Sequence, residues 1–397
     1  MHAPIRVLFW STSFQADVWS LAMHLAQDPG FFVQVALDDA RTYRGEPLGR
    51  LASPPFLLLE RQDPASRRAI RAFAPDVVVV DNHFPKRRLA PALFVLWHGF
   101  GWKGPNDKVE FKSVYRAIKH LTGTCPSRPN PRFLWQCYGP TDLEHRHLVS
   151  GFARENLRAL GAAMTDDLVP QRFSNADILP FYPPSFAQRP VALLAFTWHY
   201  GSVFAHWGDD LAIFESLFAE LSAQGYAIIV RMHDRHRYDP AYLTALEAMS
   251  ARHPDLVFKY KNDARDNLLD LSIASLAMSN YSSILNYFYA TGRPNIHVYP
   301  VASEQEAFLW RTWKGGKLRV QKVPSARYVW KLPPEEHGGL LARSLEELHQ
   351  HIRLAARDPH CCRQQAATFI QRHMSPCDGQ VCERIATELR ALALANR

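Results

Sequence analysis

The stretch from residue 276 to residue 300 constrains the fold more than any other part of the chain. It contains a short apolar run, a serine-rich polar turn, an apolar and aromatic segment, and a final apolar run. The two outer runs have the length and composition of buried strands. Between them, Ile284, Tyr287 and Phe288 recur at the i, i+3, i+4 spacing of one helix face. This order of strand, turn, helix and strand predicts a βαβ unit, and hence a parallel sheet.

The serine turn of this unit has the features of an anion-binding site. Ser282 and Ser283 fall where the helix is predicted to begin, and serine is a favoured N-cap residue. Free backbone N–H groups, two hydroxyl groups and the positive end of the helix dipole would then point to one place. The alternative is that Ser282 only caps a helix. The pattern by itself does not choose between the two interpretations.

Length and composition limit the class of protein. At 397 residues the chain exceeds the usual size of a single hydrophobic core, so two domains are expected. Hydrophobic residues make up 47% of the chain, as in a globular protein with a substantial core. The formal charge of +8 fits an acidic ligand, an anionic polymer or a membrane surface. The chain has no dense Lys/Arg tract interleaved with aromatics, so no nucleic-acid partner is predicted.

The cysteines and the N-terminus indicate a cytoplasmic protein. None of the six cysteines belongs to a CxxC pair or a common zinc module, so they are expected to remain thiols. Residues 1–10 lack the shape of a signal peptide, and no apolar segment approaches the length needed to span a bilayer. We therefore expect a soluble protein, or one bound peripherally at the inner face of the cytoplasmic membrane.

Apolar runs separated by helical patterns recur along the first half of the chain. They predict buried strands at residues 5–10, 32–37, 76–80 and 91–97. Strands that alternate with helices favour a parallel sheet covered on both faces, in which ligands bind at the carboxyl ends of the strands. His83 and His98 come just after two of those ends. We interpret the more charged stretch 106–160 as helices and loops that complete this domain.

A second series of strands and helices follows a proline-rich segment. Residues 179–190 contain four prolines, which exclude a continuous helix or a central strand, so this segment is predicted to link two domains. Strands are then predicted at residues 191–196 and 226–230, with helices at 214–221 and 242–249. The predicted domains are an N-terminal Rossmann-like domain at 1–182, a C-terminal Rossmann-like domain at 190–378 and a terminal helix at 379–397.

Two histidines at predicted strand ends are candidates for proton transfer. His98 is followed by Gly99, which lets backbone and ligand approach closely, so His98 is placed to act as a general base near neutral pH. His233 lies in a basic segment, where Arg231 and His233 would stand beside a diphosphate. The alternatives are a surface-loop histidine at 98 and a solvated basic loop around 233. No metal and no cofactor are predicted, and the G-x-S-x-G, Walker and G-x-G-x-x-G motifs are absent.

Short segments along the chain occur in the order of one family's motifs. Trp97-His98-Gly99 with Lys103 matches part of W-H-G-T-P-x-K, and Arg231-Met232-His233 matches R-M-H. Further matches are found at residues 194–198, 279–283, 286–287, 293–294, 344–348 and 378–384. In these segments the chain resembles the CDP-glycerol glycerophosphotransferases, the teichoic acid polymerase family. Each motif is short, and their common order is the specific part of the resemblance.

The resemblance implies a GT-B fold, with two Rossmann-like domains whose parallel sheets face each other across a cleft. It implies transfer of an alditol phosphate from a CDP-linked donor to a hydroxyl group of a glycan or polyol-phosphate acceptor, with release of CMP. His98 would deprotonate the acceptor hydroxyl, and His233 would assist the diphosphate or the leaving CMP. Residues matched to the donor are Thr197, Arg231, Ser279, Asn280, Ser282 and Ser283. Gly99 and Lys103 match the acceptor side.

The chain departs from the family at four of these positions. Phe100 and Gly101 replace the usual Thr and Pro, while Asn280 and Asn286 stand where Asp is common. Two carboxylates are thereby removed from the donor side, which leaves the donor open between a CDP-alditol and a nucleotide sugar. The rival hypotheses are a GT-B glycosyltransferase for capsule, lipopolysaccharide or other glycan synthesis, and a non-catalytic, lectin-like or scaffold protein. The resemblance and the positive charge also imply an anionic membrane surface as a partner.

Overall fold

Two units, each containing its own parallel sheet, make up the fold. The computed structural model describes residues 3–97, 99, 102, 106–196, 201, 203–280, 282–299, 307–314, 317–324 and 331–397. The first unit consists of Met1–Phe100, Asn106–Arg172 and Ile370–Arg397, and the second of Gly101–Pro105 and Phe173–Phe369. The proline-rich segment 179–190 lies in the second unit, and the C-terminal helix lies in the first.

The first unit contains a seven-stranded parallel sheet with strand order β3-β2-β1-β4-β5-β6-β7. Its strands are β1 (Ile5–Trp10), β2 (Phe31–Leu37), β3 (Leu57–Glu60), β4 (Val77–Val80), β5 (Ala92–Val95), β6 (Phe133–Cys137) and β7 (Leu157–Ala159). Its helices include α1 (Ala16–Leu25), α2 (Ala40–Gly45), α3 (Pro47–Leu51), α4 (Pro64–Phe73), α5 (Lys112–Thr122), α6 (Pro140–Leu148) and α7 (Thr165–Leu168). The four valines of β4 are all buried, as expected for a central strand covered on both faces.

Two strands of this sheet lie where only helices and loops were predicted. Within 106–160, the structure has β6 and β7 in addition to α5 and α6. The sequence of β6, Phe-Leu-Trp-Gln-Cys, is buried on both faces, so it lacks the alternation of a half-exposed strand. Its polar member, Gln136, is fully buried and donates its side-chain amide to the carbonyl of Gly161. A buried amide that donates to a distant carbonyl carries no local sequence signal, and the interpretation of 106–160 was wrong at these two segments.

The second unit contains a six-stranded parallel sheet with strand order β10-β9-β8-β11-β12-β15. Its strands are β8 (Val191–Leu194), β9 (Ala227–Met232), β10 (Leu256–Tyr260), β11 (Ala274–Ser279), β12 (Asn295–Val298) and β15 (Leu340–Ala342). An antiparallel hairpin, β13 (Ala307–Lys314) and β14 (Lys317–Pro324), forms a separate two-stranded sheet. The helices are α8 (Asn175–Ile178), α9 (Asp210–Ala223), α10 (Pro240–Ala248), α11 (Leu268–Ile273), α12 (Ser283–Tyr289), α13 (Leu345–Arg357) and α14 (Arg363–Phe369).

Side-chain caps fix where several helices begin. Asp63 caps α4 by accepting from the amides of Ala65 and Ser66 at 3.1 and 3.0 Å. Ser344 caps α13 by accepting from the amide of Glu347 at 3.1 Å. A helix that starts at a defined residue also has a defined direction for the free backbone N–H groups of its first turn.

The last helix, α15 (Val381–Leu394), belongs to the first unit and packs against α1. Ile385 and Leu389 on its inner face are fully buried. Arg390 pairs with Asp28 at 2.7 Å, which ties α15 to the loop that precedes β2. The first unit is therefore completed only by the end of the chain. Among the helices that the structure describes, none is long and apolar enough to cross a membrane.

Each sheet has one point where the order of its strands reverses. The reversal lies between β1 and β4 in the first unit and between β8 and β11 in the second. Connections leave such a point in opposite directions, which opens a crevice at the carboxyl ends of the two strands. In α/β proteins this crevice is where ligands bind. The residues just after β1, β4, β8 and β11 are therefore the first place to look for chemistry.

Candidate functional site

The predicted serine turn lies at the reversal point of the second sheet. Ser279 ends β11, is fully buried, and donates its hydroxyl to the carbonyl of Ala195 at 2.6 Å. Ala195 directly follows β8, so this bond joins the two strands that flank the reversal. Ser279 therefore shapes the turn through its hydroxyl. Asn280 is buried beside it.

The other two serines stand at the start of α12, as the sequence predicted. Ser282 is the N-cap, in extended backbone conformation, and its hydroxyl accepts from the amide of Ile284 at 3.5 Å. Ser283 is the first helical residue, and both serines are half-buried. The backbone N–H groups of the first turn thus face the carboxyl edge of the sheet at its reversal point. This arrangement can accept an anionic oxygen.

Asn286, one of the two positions where the family prefers Asp, is directed into the protein interior. Its side chain is 1% exposed, and its Oδ1 accepts from Nε1 of Trp102 at 3.0 Å. Trp102 is itself buried against the rings of His297 and Phe369, at centroid distances of 5.1 and 5.5 Å. The residue at 286 therefore serves the packing of Trp102, and its side chain does not line the serine turn.

His233 follows β9, on the same sheet edge as the serine turn. Its backbone amide donates to the hydroxyl of Tyr238 at 2.9 Å, and the amide of Asp234 donates to its Nδ1 at 2.8 Å. Burial, together with the charges of Lys261 and Arg237, lowers the pKa of His233 to about 4. The carboxylate of Asp234, 2.8 Å from Nδ1, opposes this shift and is outweighed.

A neutral His233 has a defined set of chemical options. Nδ1 lies 2.8 Å from both the amide nitrogen and a carboxylate oxygen of Asp234, and these two contacts favour opposite tautomers of the neutral ring. In the tautomer whose Nδ1 accepts from the amide of Asp234, Nε2–H can donate to a phosphate oxygen, and the lowered pKa favours the neutral ring over the imidazolium. Its side chain is 22% exposed, enough for a ligand to reach the ring.

Arg231, predicted to contact the donor, is bonded to acceptors inside its own unit. The guanidinium is 7% exposed and donates to Asp270 and to the carbonyls of Ala264 and Asp266, the latter two at 2.7 and 2.8 Å. Lys259 donates to the same carboxylate at 2.7 Å. Burial raises the pKa of Asp270, and the charges of Lys259 and Arg231 outweigh it, so the pKa lies below its ordinary value. Arg231 thus fixes the loop after β10.

Replacing Asp270 with alanine is expected to lower the free energy of unfolding by roughly 3–5 kcal/mol, because the buried guanidinium of Arg231 and the half-buried ammonium of Lys259 lose their carboxylate. Denaturant unfolding of the purified chain measures the change. The matched control is Asp263→Ala, since Asp263 is 53% exposed and pairs with Arg235 on the surface. That variant is expected to change stability by less than about 1 kcal/mol. Equal effects of the two substitutions would contradict the assigned role of Asp270.

In the first unit, the turn after β5 is held by a buried tyrosine. The hydroxyl of Tyr138 accepts from the amide of Gly99 at 2.8 Å and donates to Asp17 at 2.9 Å. The other carboxylate oxygen of Asp17 accepts from the amide of Met164 at 2.8 Å. Gly99 has φ 117°, a left-handed value that favours glycine. Sequence analysis missed both Asp17 and Tyr138.

Trp97, at the entry to the same turn, is fixed by stacked side chains. Its φ is 59°, which is strained for a residue other than glycine. Its ring lies 4.9 Å from that of Trp135, and the guanidinium of Arg146 lies 5.5 Å from it. Strain of this kind persists where the surroundings dictate the conformation. His98, Lys103 and Thr197 fall outside the described residues, so their predicted roles stay predictions.

The reversal point of the first sheet carries a second polar cluster. Ser11, just after β1, donates its hydroxyl to Asp81 at 2.6 Å, and Asp81 directly follows β4. The amide of His83 donates to Asp81 Oδ1 at 2.8 Å, and His83 Nδ1 lies 3.1 Å from the same oxygen. The available sequence signal for this cluster was the position of His83 after a predicted strand.

Among the described residues, no group of three or more His, Cys, Asp or Glu side chains is placed to hold a metal ion. The six cysteines all lie within the described ranges, and none of them is joined to another by a disulfide.

Comparison with known proteins identifies the fold. No protein-family model matches the chain, and no curated protein matches it in sequence. A variant of the wall teichoic acid polymerase TagF superposes with a TM-score of 0.69 and 13% identity, over 98% of this chain and 90% of that one. TagF has also been solved after a soak with CDPG, with a TM-score of 0.68 and 12% identity, over 98% and 88%.

Two further structures have a lower similarity over nearly the whole chain. The S. aureus MnaA–UDP co-structure gives a TM-score of 0.55 at 12% identity, over 97% of this chain and 96% of that one. A glycosyltransferase from Rickettsia africae ESF-5 gives 0.54 at 12% identity, over the full length of both chains. At these identities the likeness concerns the fold alone. The predicted α/β GT-B fold with two Rossmann-like units is confirmed.

Proposed function

We propose that this GT-B protein is a transferase that moves an alditol phosphate, glycerol phosphate in the first instance, from a CDP-linked donor to a hydroxyl group of a surface-glycan or teichoic-like acceptor. The observation that supports it most is the serine turn at the reversal point of the second sheet. Its first-turn N–H groups and the neutral imidazole of His233 lie on one edge of that sheet. The fold that carries this arrangement is shared with TagF.

The proposed reaction is an in-line displacement at phosphorus. The acceptor oxygen attacks the phosphorus that bears the alditol, the bond from that phosphorus to the CMP oxygen breaks, and CMP leaves. His98 takes the proton of the acceptor hydroxyl. Backbone N–H groups at Ser282 and Ser283, with Nε2–H of His233, stabilise the charge that develops on the phosphate oxygens. In this scheme Arg231 and Ser279 act by fixing the loops that hold those groups.

The alternative is a GT-B glycosyltransferase that uses a nucleotide sugar. The observations that favour it are Asn280 at the serine turn, where the family prefers Asp, and the likeness to the MnaA–UDP co-structure. An anionic membrane surface as partner, and a cytoplasmic location at that surface, stay predictions based on the net charge of +8 and the resemblance.

A donor panel tests the proposal. The purified chain is incubated with CDP-glycerol, other CDP-alditols and nucleotide sugars, and released nucleotide is measured. We expect CMP release from CDP-glycerol or another CDP-alditol. UDP or GDP release from a nucleotide sugar would establish the alternative in its place. No release from any donor would contradict both and support a non-catalytic protein.

A pair of cap variants ties the activity to the serine turn. Ser282→Ala is expected to raise the donor KM about tenfold, because one hydroxyl and the ordered start of α12 are lost. Ser344→Ala is the matched control, since Ser344 caps α13 in the same unit. It is expected to weaken its helix without changing the donor KM. Equal donor KM values for the two variants would remove the serine turn from the proposed site.

A further inference from the structure

The polar cluster at the reversal point of the first sheet orients one histidine ring. Both carboxylate oxygens of Asp81 are used, Oδ2 by the hydroxyl of Ser11 and Oδ1 by the amide and Nδ1 of His83. Asp81 is 7% exposed, whereas the side chain of His83 is 43% exposed. A buried carboxylate thus holds a histidine whose ring extends into solvent. The amide of Ser13 also donates to the Ser11 hydroxyl, at 3.3 Å, which orders the loop after β1.

The charge state of Asp81 determines the tautomer of His83. Burial raises the pKa of Asp81, and hydrogen bonds from His83 and Ser11 outweigh it, so Asp81 is a carboxylate at neutral pH. A carboxylate accepts from Nδ1–H, which leaves the lone pair of a neutral imidazole on Nε2. Nε2 is then an acceptor that points away from Asp81. It can bind the hydrogen of a hydroxyl group.

The residues that follow His83 add positive charge. Lys86, Arg87 and Arg88 are consecutive and exposed. Arg88 donates to the carbonyls of Ala90 and Pro91 at 3.1 and 3.0 Å, which orders the end of the loop. The carbonyl of Lys86 lies 3.1 Å from Nε2 of His120 on α5, a contact that fixes the middle of the loop. Lys86 and Arg87 are available to attract an anionic group near the hydroxyl-binding ring.

We propose that His83 is an acceptor-binding residue, which binds a hydroxyl of an anionic polyol phosphate through Nε2. Lys86 and Arg87 attract a phosphate group of the same acceptor molecule. Asp81 is the positioning residue, because it fixes the orientation and the tautomer of the His83 ring. This inference rests on the proposed function, because only a transferase requires an acceptor. What it adds is one named contact for the acceptor, at the reversal point of the first sheet, and the residue that orients it.

The kinetic test separates acceptor binding from donor binding. With the donor found by the panel and a soluble oligo(glycerol phosphate) as acceptor, His83→Ala is expected to raise the acceptor KM at least about tenfold more than the donor KM. Asp81→Asn is expected to act in the same direction with a smaller effect, since an amide still accepts from His83. His24→Ala is the matched control, because His24 is a 37% exposed histidine paired with Glu383 at 3.2 Å, outside the reversal point. The proposal would be overturned if His83→Ala changed the donor KM and the acceptor KM equally. It would also be overturned if the acceptor KM of His83→Ala lay within twofold of that of His24→Ala.

A binding test needs no turnover and so separates this inference from the proposed function. The full-length chain is labelled with ¹⁵N-histidine, and the imidazole signals of His83 are assigned by their loss in His83→Ala. Addition of oligo(glycerol phosphate) is expected to shift the His83 Nε2 signal and to leave that of His24 in place. If the His83 signal stays in place while the chain is folded, the acceptor subsite is wrong, whatever the donor panel gives.

Discussion

Replacing His98 with alanine is expected to lower the rate of transfer by about 10²–10⁴-fold, the usual contribution of a positioned general base. The next residue along the chain lies in a turn that is held by buried side chains. Gly99 is held by the hydroxyl of Tyr138, which Asp17 orients in turn. General-base catalysis requires a base in a fixed position, and buried hydrogen bonds fix the backbone at Gly99, the residue that follows the proposed base.

The measurement is turnover with the best donor and acceptor, together with the thermal unfolding midpoint. His98→Ala is expected to leave the midpoint in place, and added imidazole is expected to restore part of the rate. Tyr138→Phe, which removes the acceptor for the Gly99 amide, is expected to reduce the rate about tenfold. Near wild-type turnover of His98→Ala would show that the base is another residue. An equal loss for His360→Ala, an exposed histidine of the second unit, would show a general effect on the protein.

Acidification from pH 7.5 to pH 4.5 is expected to lower the free energy of unfolding by about 5 kcal/mol or more, which is as large as the whole stability of many domains. Burial lowers the pKa of His233 and of His337 to about 4. Burial, with the charge of His337, lowers the pKa of the fully buried His297 well below its ordinary value. All three histidines lie in the second unit.

The direction follows from proton uptake. In the unfolded chain these histidines bind protons as the pH falls through about 6.5, whereas the folded chain resists until about pH 4. The stabilisation is therefore complete above pH 6.5 and is lost as the pH falls toward 4. A shift of this size corresponds to roughly 3 kcal/mol for His233 and for His337, at 1.36 kcal/mol per pKa unit.

Denaturant titrations at several pH values measure this loss. His337→Gln is expected to flatten the dependence between pH 6.5 and pH 4.5, because it removes one of the three protonation sites. His360→Gln is the control on an exposed histidine and is expected to keep the wild-type slope. A free energy of unfolding that is constant between pH 7 and pH 5 would contradict the assigned burial of these rings.

The features predicted from the sequence were those with a local cause. The serine turn, the cap at Ser282 and the strands before His98 and His233 all follow from spacing and composition over fewer than about ten residues. The reversal points require the order of strands in the sheet, which no local pattern contains. The GT-B assignment came from the order of short motifs along the chain.

The missed features depend on contacts between distant parts of the sequence. Tyr138 and Asp17 are 121 residues apart, and Ser11 and Asp81 are 70 residues apart. The local sequence around a buried tyrosine or aspartate does not show whether its side chain holds a distant turn by hydrogen bonds or only fills space in the core. Asn286 is a similar case. The resemblance assigned this position to the donor side, whereas its hydrogen-bond partner is Trp102, 184 residues away.

The position of Trp102 has a consequence for how such a protein can be divided. Gly101–Pro105 belongs to the second unit although it directly follows the segment that carries the proposed base, and the first unit is completed by Ile370–Arg397. A fragment ending at residue 172 would leave the indole of Trp102 without its buried surroundings and the first sheet without α15. Neither unit is a contiguous piece of sequence. Joining two related chains at a single crossover would therefore combine residues of different chains within one core, so an exchange of whole units needs crossovers at more than one boundary.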